Sequence, residues 1–557
     1  MKNISYTQGN QEQALIELTI GGLFETIVEK YPNNEALVSV HQDIRWTYSE
    51  LKEKVDRCAK ALLTFNVVKG DRVGIWSPNC AEWLVVQIAT AKIGAILVNI
   101  NPSYRLHELE YALHQSGCKI VVLAEKSKYS SYVEMMHTLI PELDGDNEID
   151  CEKFPRLKRI ISLGEKNYPG MLPWEIFMSR GKKVSDQLLK AIMNGLGYGD
   201  AINIQYTSGT TGYPKGVTLS HYNILNNGYL VSENMNLEPK DRLIIPVPLY
   251  HCFGMVLGNL GCITHGATMI YSGENFEAEQ VLETVEKEKA TALFGVPTMF
   301  LAEVNHPDLK KYDLSSLRTG VMAGALCPEE LMIKVNKDLH IPEILIAYGM
   351  TETSPVSTQT RRDAPFLKRV TTVGTVMPYT EVRIVNPETN ETVKIGETGE
   401  LCTRGYCVML GYWENEEQTR EAIDEEHWIH SGDLATLDED GYISIVGRIK
   451  DMIIRGGENI YPKEIEEFIF KHPKIKNVQV IGIPSERYGE EVCAWLQLKD
   501  GESMTEEEVM EYCKGNIAYY KIPAFIRFVS EFPMTVTGKI RKVEMREMEL
   551  GGLTLDA

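Results

Sequence analysis

The 557-residue sequence contains no CxxC pair, although it carries 11 cysteines. Cys402 and Cys407 are five apart, outside the usual zinc spacings. An odd number of cysteines scattered over a long chain excludes a disulfide scaffold and reads as reduced core thiols of a cytoplasmic protein. Positive charge is also short. Lys and Arg total 57 against 78 Asp and Glu, a net charge of −21. That deficit excludes nucleic-acid binding through a basic surface and docking on an anionic membrane. It leaves room for a local cationic site, because net charge governs solubility and steering rather than individual sites. Residues 1–20 lack the apolar core of a signal peptide and the arginines of a mitochondrial presequence. Lys2 stands where myristoylation needs glycine, and the final Thr-Leu-Asp-Ala is no prenylation box. Residues 243–273 contain no Asp, Glu, Lys or Arg, but Pro246, Pro248, Gly254, Gly258, Gly261 and Gly266 interrupt them. The expectation there is strand, turn, short helix and strand buried in a large core, not a transmembrane segment.

The composition, 43% hydrophobic and 24% charged, is that of a soluble globular protein with about three or four domain-sized units. Apolar runs at Val73–Trp76, Lys119–Leu123, Ala292–Val296 and Ile344–Ala347 alternate with amphipathic stretches. This alternation predicts an α/β protein with parallel or mixed sheets flanked by helices. Residues 139–155 are acidic and poorly periodic and read as a surface loop. Near the C-terminus, Pro462 can open a helix with Ile465, Phe468 and Ile469 on one face. Val478 and Val480, then Val492, Ala494, Leu496 and Leu498, alternate as strands. Thr505 can cap a helix carrying Val509, Tyr512 and Ile517, and Ile526–Val529 reads as a last strand. The expected organisation is a large domain over residues 1–447, a short connection at 448–451, and a small α+β domain over 452–557.

The strongest local signal is Tyr206-Thr-Ser-Gly-Thr-Thr-Gly-Tyr-Pro-Lys-Gly216. Gly209 and Gly212 let the backbone approach a ligand closely. The hydroxyls of Thr207, Ser208, Thr210 and Thr211, with backbone N–H groups, can donate to phosphate oxygens. Lys215 adds a point charge for the same oxygens. The string is not a Walker loop, in which glycine directly precedes the lysine and a hydroxyl follows it.

This string resembles the signature of the acyl-adenylate-forming superfamily. The resemblance continues in order through Tyr348-Gly-Met-Thr-Glu352, Ser431-Gly-Asp433, Gly447-Arg-Ile-Lys-Asp451 and Pro533-Met-Thr-Val-Thr-Gly-Lys539. Pro248–Gly254, Gly405–Trp413 and Met452–Pro462 look most like medium-chain fatty acyl-CoA ligases. The resemblance implies ATP and CoA as co-substrates and Mg²⁺ as cofactor. A carboxylate would attack the α-phosphate of ATP to give acyl-AMP and pyrophosphate. The CoA thiol would then expel AMP.

Residue roles follow by the same resemblance. Glu352 would bind Mg²⁺, a hard cation suited to carboxylate oxygen, and Thr351 would contact the α-phosphate. Tyr348 would stack on adenine beside Gly349, with Gly324 and Ala325 allowing close approach of the base. Asp433 would hold the ribose hydroxyls, backed by Arg448. Lys539 would bridge the attacking carboxylate and the α-phosphate, and its string resembles the target of a lysine acetylase and deacetylase. His251 would gate the acyl pocket. Lys450 and Asp451 would be the hinge of a rotating small domain, and Arg455, Gly456 and Gly457 would meet CoA. The rival readings are a ligase for an aryl, long-chain or dicarboxylic acid, a luciferase-like oxygenase, an amino-acid-activating domain, and a non-catalytic acyl-adenylate binder. Against the amino-acid reading, no aspartate stands near His251 to hold an ammonium group. These roles predict that Lys539→Ala abolishes acid-dependent ATP–pyrophosphate exchange but spares thioester formation from supplied acyl-AMP. Equal loss of both half-reactions would contradict the role of Lys539.

Overall fold

A computed structural model describes residues 3–553, apart from 128–129, 145–147, 165, 208–213, 457, 486 and 536–537. The apolar runs become parallel strands. Ile120–Leu123, Arg72–Trp76, Ile96–Asn99 and Ala201–Thr207 are consecutive in an eight-stranded sheet. That sheet ends in the antiparallel pair Ala201–Thr207 and Lys215–Ser220, with the two-residue strand Gly411–Tyr412 along its edge. A nine-stranded sheet runs parallel from Glu343–Gly349 through Thr319–Ala323, Ala292–Gly295, Arg242–Ile244 and Thr268–Tyr271 to Glu35–Ser39. A third, antiparallel sheet is built from Tyr6–Gln8, Thr380–Val385, Gly399–Gly405, Ile429–Leu437 and Ile443–Arg448. The expected α/β architecture is therefore present.

One continuous core joins the two large sheets. It takes Val73, Ile75 and Leu97 from the first and Leu243, Met269 and Phe294 from the second. The helix Ala81–Ile93 lies in this core with every residue but Glu82 buried. Its sequence is mostly apolar, as a helix enclosed on all sides requires, and its buried Lys92 pairs with Glu25 and Asp56. The uncharged run behaves as expected. Arg242–Ile244 and Thr268–Tyr271 are strands, and the π-helix Phe253–Leu260 continues into Gly261–His265 between them. Among the described residues no helix is long and apolar enough to cross a membrane. A Cβ on Gly254 would lie 2.5 Å from the Pro248 carbonyl oxygen, and one on Gly258 2.8 Å from Ile245. Both glycines are contact points of a packed core.

The wide π turn is held by buried amides from distant strands and helices. Gln87 donates to the Met255 carbonyl at 3.1 Å and accepts from Asn259 at 2.8 Å. Asn99 donates to the Tyr250 carbonyl at 2.8 Å, and Asn79 accepts from Leu249 N–H at 2.8 Å. Each buried polar group thus has a partner, without which burial would cost about 1–3 kcal/mol.

Residues 453–553 form a separate unit. Gly489–Leu498 pairs antiparallel with Ile475–Ser485 and parallel with Phe525–Phe528, and Ile453–Arg455 and Glu458–Ile460 extend the sheet. Ile465 and Ile469 of the helix Pro462–Phe470 enter its own core with Val480, Leu496 and Val509. Thr505 caps the helix Glu506–Cys513 by accepting from Glu508 N–H. Ile517 lies beyond the end of that helix, past Gly515 with φ +76°. The acidic segment also differs from a plain surface loop. Among the described residues it has neither helix nor strand between Leu139 and Arg159, yet Leu143, Ile149, Cys151 and Phe154 are buried.

His221 opens the helix His221–Asn234 and is fully buried. Its Nδ1 accepts from Ile20 N–H at 3.2 Å, and burial pushes its pKa down to about 4. The unfolded chain takes up this proton near pH 6.5 and the folded chain does not. Stability contributed by neutral His221 is therefore lost as pH falls from about 6.5 to 4, by up to about 1.4 kcal/mol per pH unit. The melting temperature of the parent should fall more steeply over that window than that of His221→Asn. Equal slopes would contradict the assignment.

Candidate active site

The strand pair Ala201–Thr207 and Lys215–Ser220 sets Thr207 directly opposite Lys215. Ser208, Gly209, Thr210, Thr211 and Gly212, expected to cradle phosphate, lie outside the described residues. Next to this pair, a short turn at Thr351–Thr353 follows the strand Glu343–Gly349 and buries Thr351 and Glu352. Only glycine fits at 349, where a Cβ would sit 1.8 Å from the Pro355 carbonyl oxygen. Burial raises the pKa of Glu352, and contacts with Tyr412, Lys215 and Thr207 act in the opposite direction. Tyr412 donates its hydroxyl to Oε1 of Glu352 at 3.0 Å. A buried carboxylate oriented by a phenol hydroxyl suits a hard divalent cation, so the residues present fit Mg²⁺ at Glu352.

Across the cleft, the strand Ile429–Leu437 presents Asp433 opposite Arg448. Both carboxylate oxygens are engaged. Tyr348 donates to Oδ2 at 2.7 Å and Arg448 Nε to Oδ1 at 2.9 Å. The turn that presents Asp433 is braced from behind. Gly432, at φ +70°, donates its N–H to Glu400 at 2.9 Å, and the same carboxylate meets His430 Nδ1 at 2.9 Å. Cys402, for which sequence spacing suggested no metal role, packs against His430 at 3.4 Å.

Lys539 comes from the small unit and enters this cleft. The Gly538 carbonyl accepts from Thr298 Oγ1 at 3.1 Å. The lysine stem passes over Gly324, where a Cβ would lie 3.5 Å from Lys539 Cε. Burial holds the Lys539 pKa below the ordinary lysine value, the Arg448 charge lowers it further, and Cys252, Asp433 and Glu352 act in the opposite direction. His251 stands on the same side. Burial first and the Lys539 charge second push its pKa down to about 3, so the ring is neutral. Its neighbour Cys252 is 3.8 Å from Thr351 Oγ1. The structure thus brings Thr351, Glu352, Asp433, Arg448, His251 and Lys539 around one cleft.

The sequence profile of AMP-binding enzymes matches residues 24–413, and that of the AMP-binding enzyme C-terminal domain matches 464–539. The chain belongs to the AMP-binding enzyme family. It is 49% identical over 535 residues to YngI of Bacillus subtilis (strain 168), covering 96% of this chain and 97% of that protein. It is 44% identical over 552 residues to the mitochondrial medium-chain acyl-CoA ligase ACSF2 of Homo sapiens, covering 98% and 89%. Among solved structures, ATP-bound MatB from Rhodopseudomonas palustris superposes with a TM-score of 0.83 at 28% identity, covering 95% of this chain and 99% of that one.

Two groups of expected AMP-binding-family residues do not join this cleft. Arg455 makes a bidentate pair with Glu491 at 2.5 and 3.2 Å and lies over the Tyr488 ring. These partners all belong to the small unit. Gly456 lies beside Tyr488 with φ +60°, and Gly457 lies outside the described residues. Lys450 is exposed in the turn Ile449–Asp451, and Asp451 pairs with Arg546 at 2.8 Å. Three contacts escaped sequence reasoning: the Tyr412 hydroxyl on Glu352, the Tyr348 hydroxyl on Asp433, and the Thr298 bond to Gly538. Tyr412 stands within the Gly405–Trp413 string, but nothing local says which way its hydroxyl points.

Gly538 has φ +75°, and a Cβ there would lie 2.6 Å from Thr298 Oγ1. Gly538→Ala should displace Lys539 and slow acid-dependent ATP–pyrophosphate exchange about ten-fold or more, in line with misplacement of a reacting group. Thioester formation from supplied acyl-AMP should change little. An unchanged exchange rate would contradict this docking.

Proposed function

We propose that this protein is an ATP-dependent acyl-CoA synthetase that activates a medium-chain fatty acid as acyl-AMP and passes the acyl group to CoA. The observation that carries the proposal is the meeting of Lys539, from the small unit, with Thr351, Glu352 and Asp433 of the large one. Relatives named for acyl-CoA ligation over nearly the full chain support the same reading.

In the first half-reaction a carboxylate oxygen of the acid forms a bond to the α-phosphorus, and the bond to pyrophosphate breaks. The reactants are all anionic, so catalysis rests on cations and donors positioned before the reaction begins. Lys539 balances charge between the carboxylate and the α-phosphate. Its depressed pKa still leaves the ammonium close to acids that favour its charged form. Thr351 donates to an α-phosphate oxygen. Lys215 holds the outer phosphates together with the loop at 207–212. Mg²⁺, when bound at Glu352, supplies positive charge to the phosphates. Tyr348, Gly349, Gly324 and Ala325 form the adenine platform. Asp433 takes the ribose hydroxyls, and Arg448 keeps its carboxylate aligned.

Neutral His251 suits the mouth of an acyl pocket, because it adds no charge beside the apolar chain. The π-helix behind it supplies apolar wall, where each buried methylene contributes about 0.8 kcal/mol. In the second half-reaction the CoA sulfur bonds to the acyl carbon, AMP leaves, and the thiol loses its proton. We assign the pivot between steps to Lys450 and Asp451, with the small domain over 452–557. We assign the approach of CoA to the face of Arg455, Gly456 and Gly457. Eleven unpaired thiols, nine of them buried, support a reducing compartment, which we read as the cytoplasm.

Release of AMP with CoA, measured across saturated acids of graded length, tests this function. A maximum at medium chain length and loss of turnover in excess chelator are expected. Turnover with aryl or dicarboxylic acids alone, or full activity in chelator, would overturn it.

A further inference from the structure

Tyr412 lies between two groups given separate tasks above. Its hydroxyl donates to Oε1 of Glu352 at 3.0 Å, and Lys215 Nζ lies 4.9 Å from the centroid of its ring. Among the described residues, no ion pair joins Lys215 to Glu352. Opposite charges this close to a common side chain attract, and a direct pair would withdraw both from a bound nucleotide. The ring stands between them. It holds the ammonium over its face without taking a proton or neutralising the charge.

The surrounding backbone fixes this ring. Met409 N–H donates to the Glu352 carbonyl at 2.9 Å, Leu410 N–H to the Thr218 carbonyl at 2.9 Å, and Trp413 N–H to the Gly216 carbonyl at 2.7 Å. Tyr412 N–H donates to Thr419 Oγ1 at 2.9 Å, and Gln115 donates to the Trp413 carbonyl at 2.6 Å. Residues 409–413 therefore strap the turn carrying Glu352 to the strand that begins at Lys215.

We propose that Tyr412 is a positioning residue that spaces the carboxylate of Glu352 from the ammonium of Lys215, so that a divalent cation and the nucleotide phosphates are received in register. The proposal rests on the reading of Glu352 as the metal-binding acid and Lys215 as a phosphate-binding cation. The two parts of the side chain have separable effects. The hydroxyl fixes Oε1 of Glu352, and partners behind a metal ligand commonly govern affinity by about 10–100-fold. The ring keeps Lys215 free for phosphate.

Binding of Mn²⁺ to the full-length protein with ATP, followed by the spin resonance of free Mn²⁺, tests the proposal beside metal-free ATP binding in chelator by calorimetry. Tyr412→Phe keeps the ring and should weaken Mn²⁺ binding about ten-fold with metal-free ATP binding unchanged. Tyr412→Leu should weaken both. Because the Phe variant preserves packing, it decides the hydroxyl's part even if the Leu variant is unstable. Glu352→Gln separates the two readings. If it loses Mn²⁺ while Tyr412→Phe binds like the parent, the positioning role falls and the metal-binding reading stands. If Glu352→Gln itself binds Mn²⁺ like the parent, both fall.

Discussion

Everything at this cleft depends on keeping a few charges ionised after most of their water has been removed. Glu352 and Asp433 are buried, Lys539 is half-buried, and for Glu352 and Lys539 neighbours oppose the effect of desolvation. Asp433 has Arg448 on one oxygen and Tyr348 on the other. Glu352 relies on Tyr412 and on the field of Lys215. The scaffold supplies these partners from separate elements. One comes from the edge of the eight-stranded sheet, one from the end of the nine-stranded sheet, one from the antiparallel sheet, and one from the small unit. No single element could hold the set, and that is the physical reason for an architecture of several sheets meeting at one place.

The same constraint explains how a chain of net charge −21 handles anionic substrates. Its excess acid is spread over exposed helices and loops, where screening over roughly 10 Å limits its reach. Around Lys539, the Arg448 charge and the Asp433 and Glu352 carboxylates are close enough to act on its ammonium. Local arrangement outweighs global charge because the Coulomb term grows as separation and dielectric both fall.

Much of this was legible from residue order alone. Strand runs such as Ala292–Val296 need only β-branched and apolar composition, and Pro462 announces its helix through a fixed φ. The family strings are compact because each surrounds one turn: the turn before Glu352, the turn before Asp433, the turn bearing Lys539. What could not be read were contacts set by register between distant pieces. Tyr348 reaches Asp433 across 85 positions, and Thr298 reaches Gly538 across 240. The pairing of Arg455 with Glu491 likewise depends on a neighbouring strand bringing the two side by side. The acidic stretch after Leu139 reads as pure surface because its scattered buried apolar residues have no period to betray them.

The small unit has its own core, and its lysine docks through one side-chain bond to the Gly538 carbonyl and contact with Gly324. A cation carried in this way can be withdrawn. Lys215, built into a sheet, acts on whatever occupies the cleft at every moment. Under the proposed function, Lys539 acts only while its carrier is docked. In the proposed cycle this separates two demands that a static site meets poorly: strong positive potential while the phosphate bond is made, and a weaker one when AMP must depart. The molecule would then control its electrostatics by timing as well as by strength.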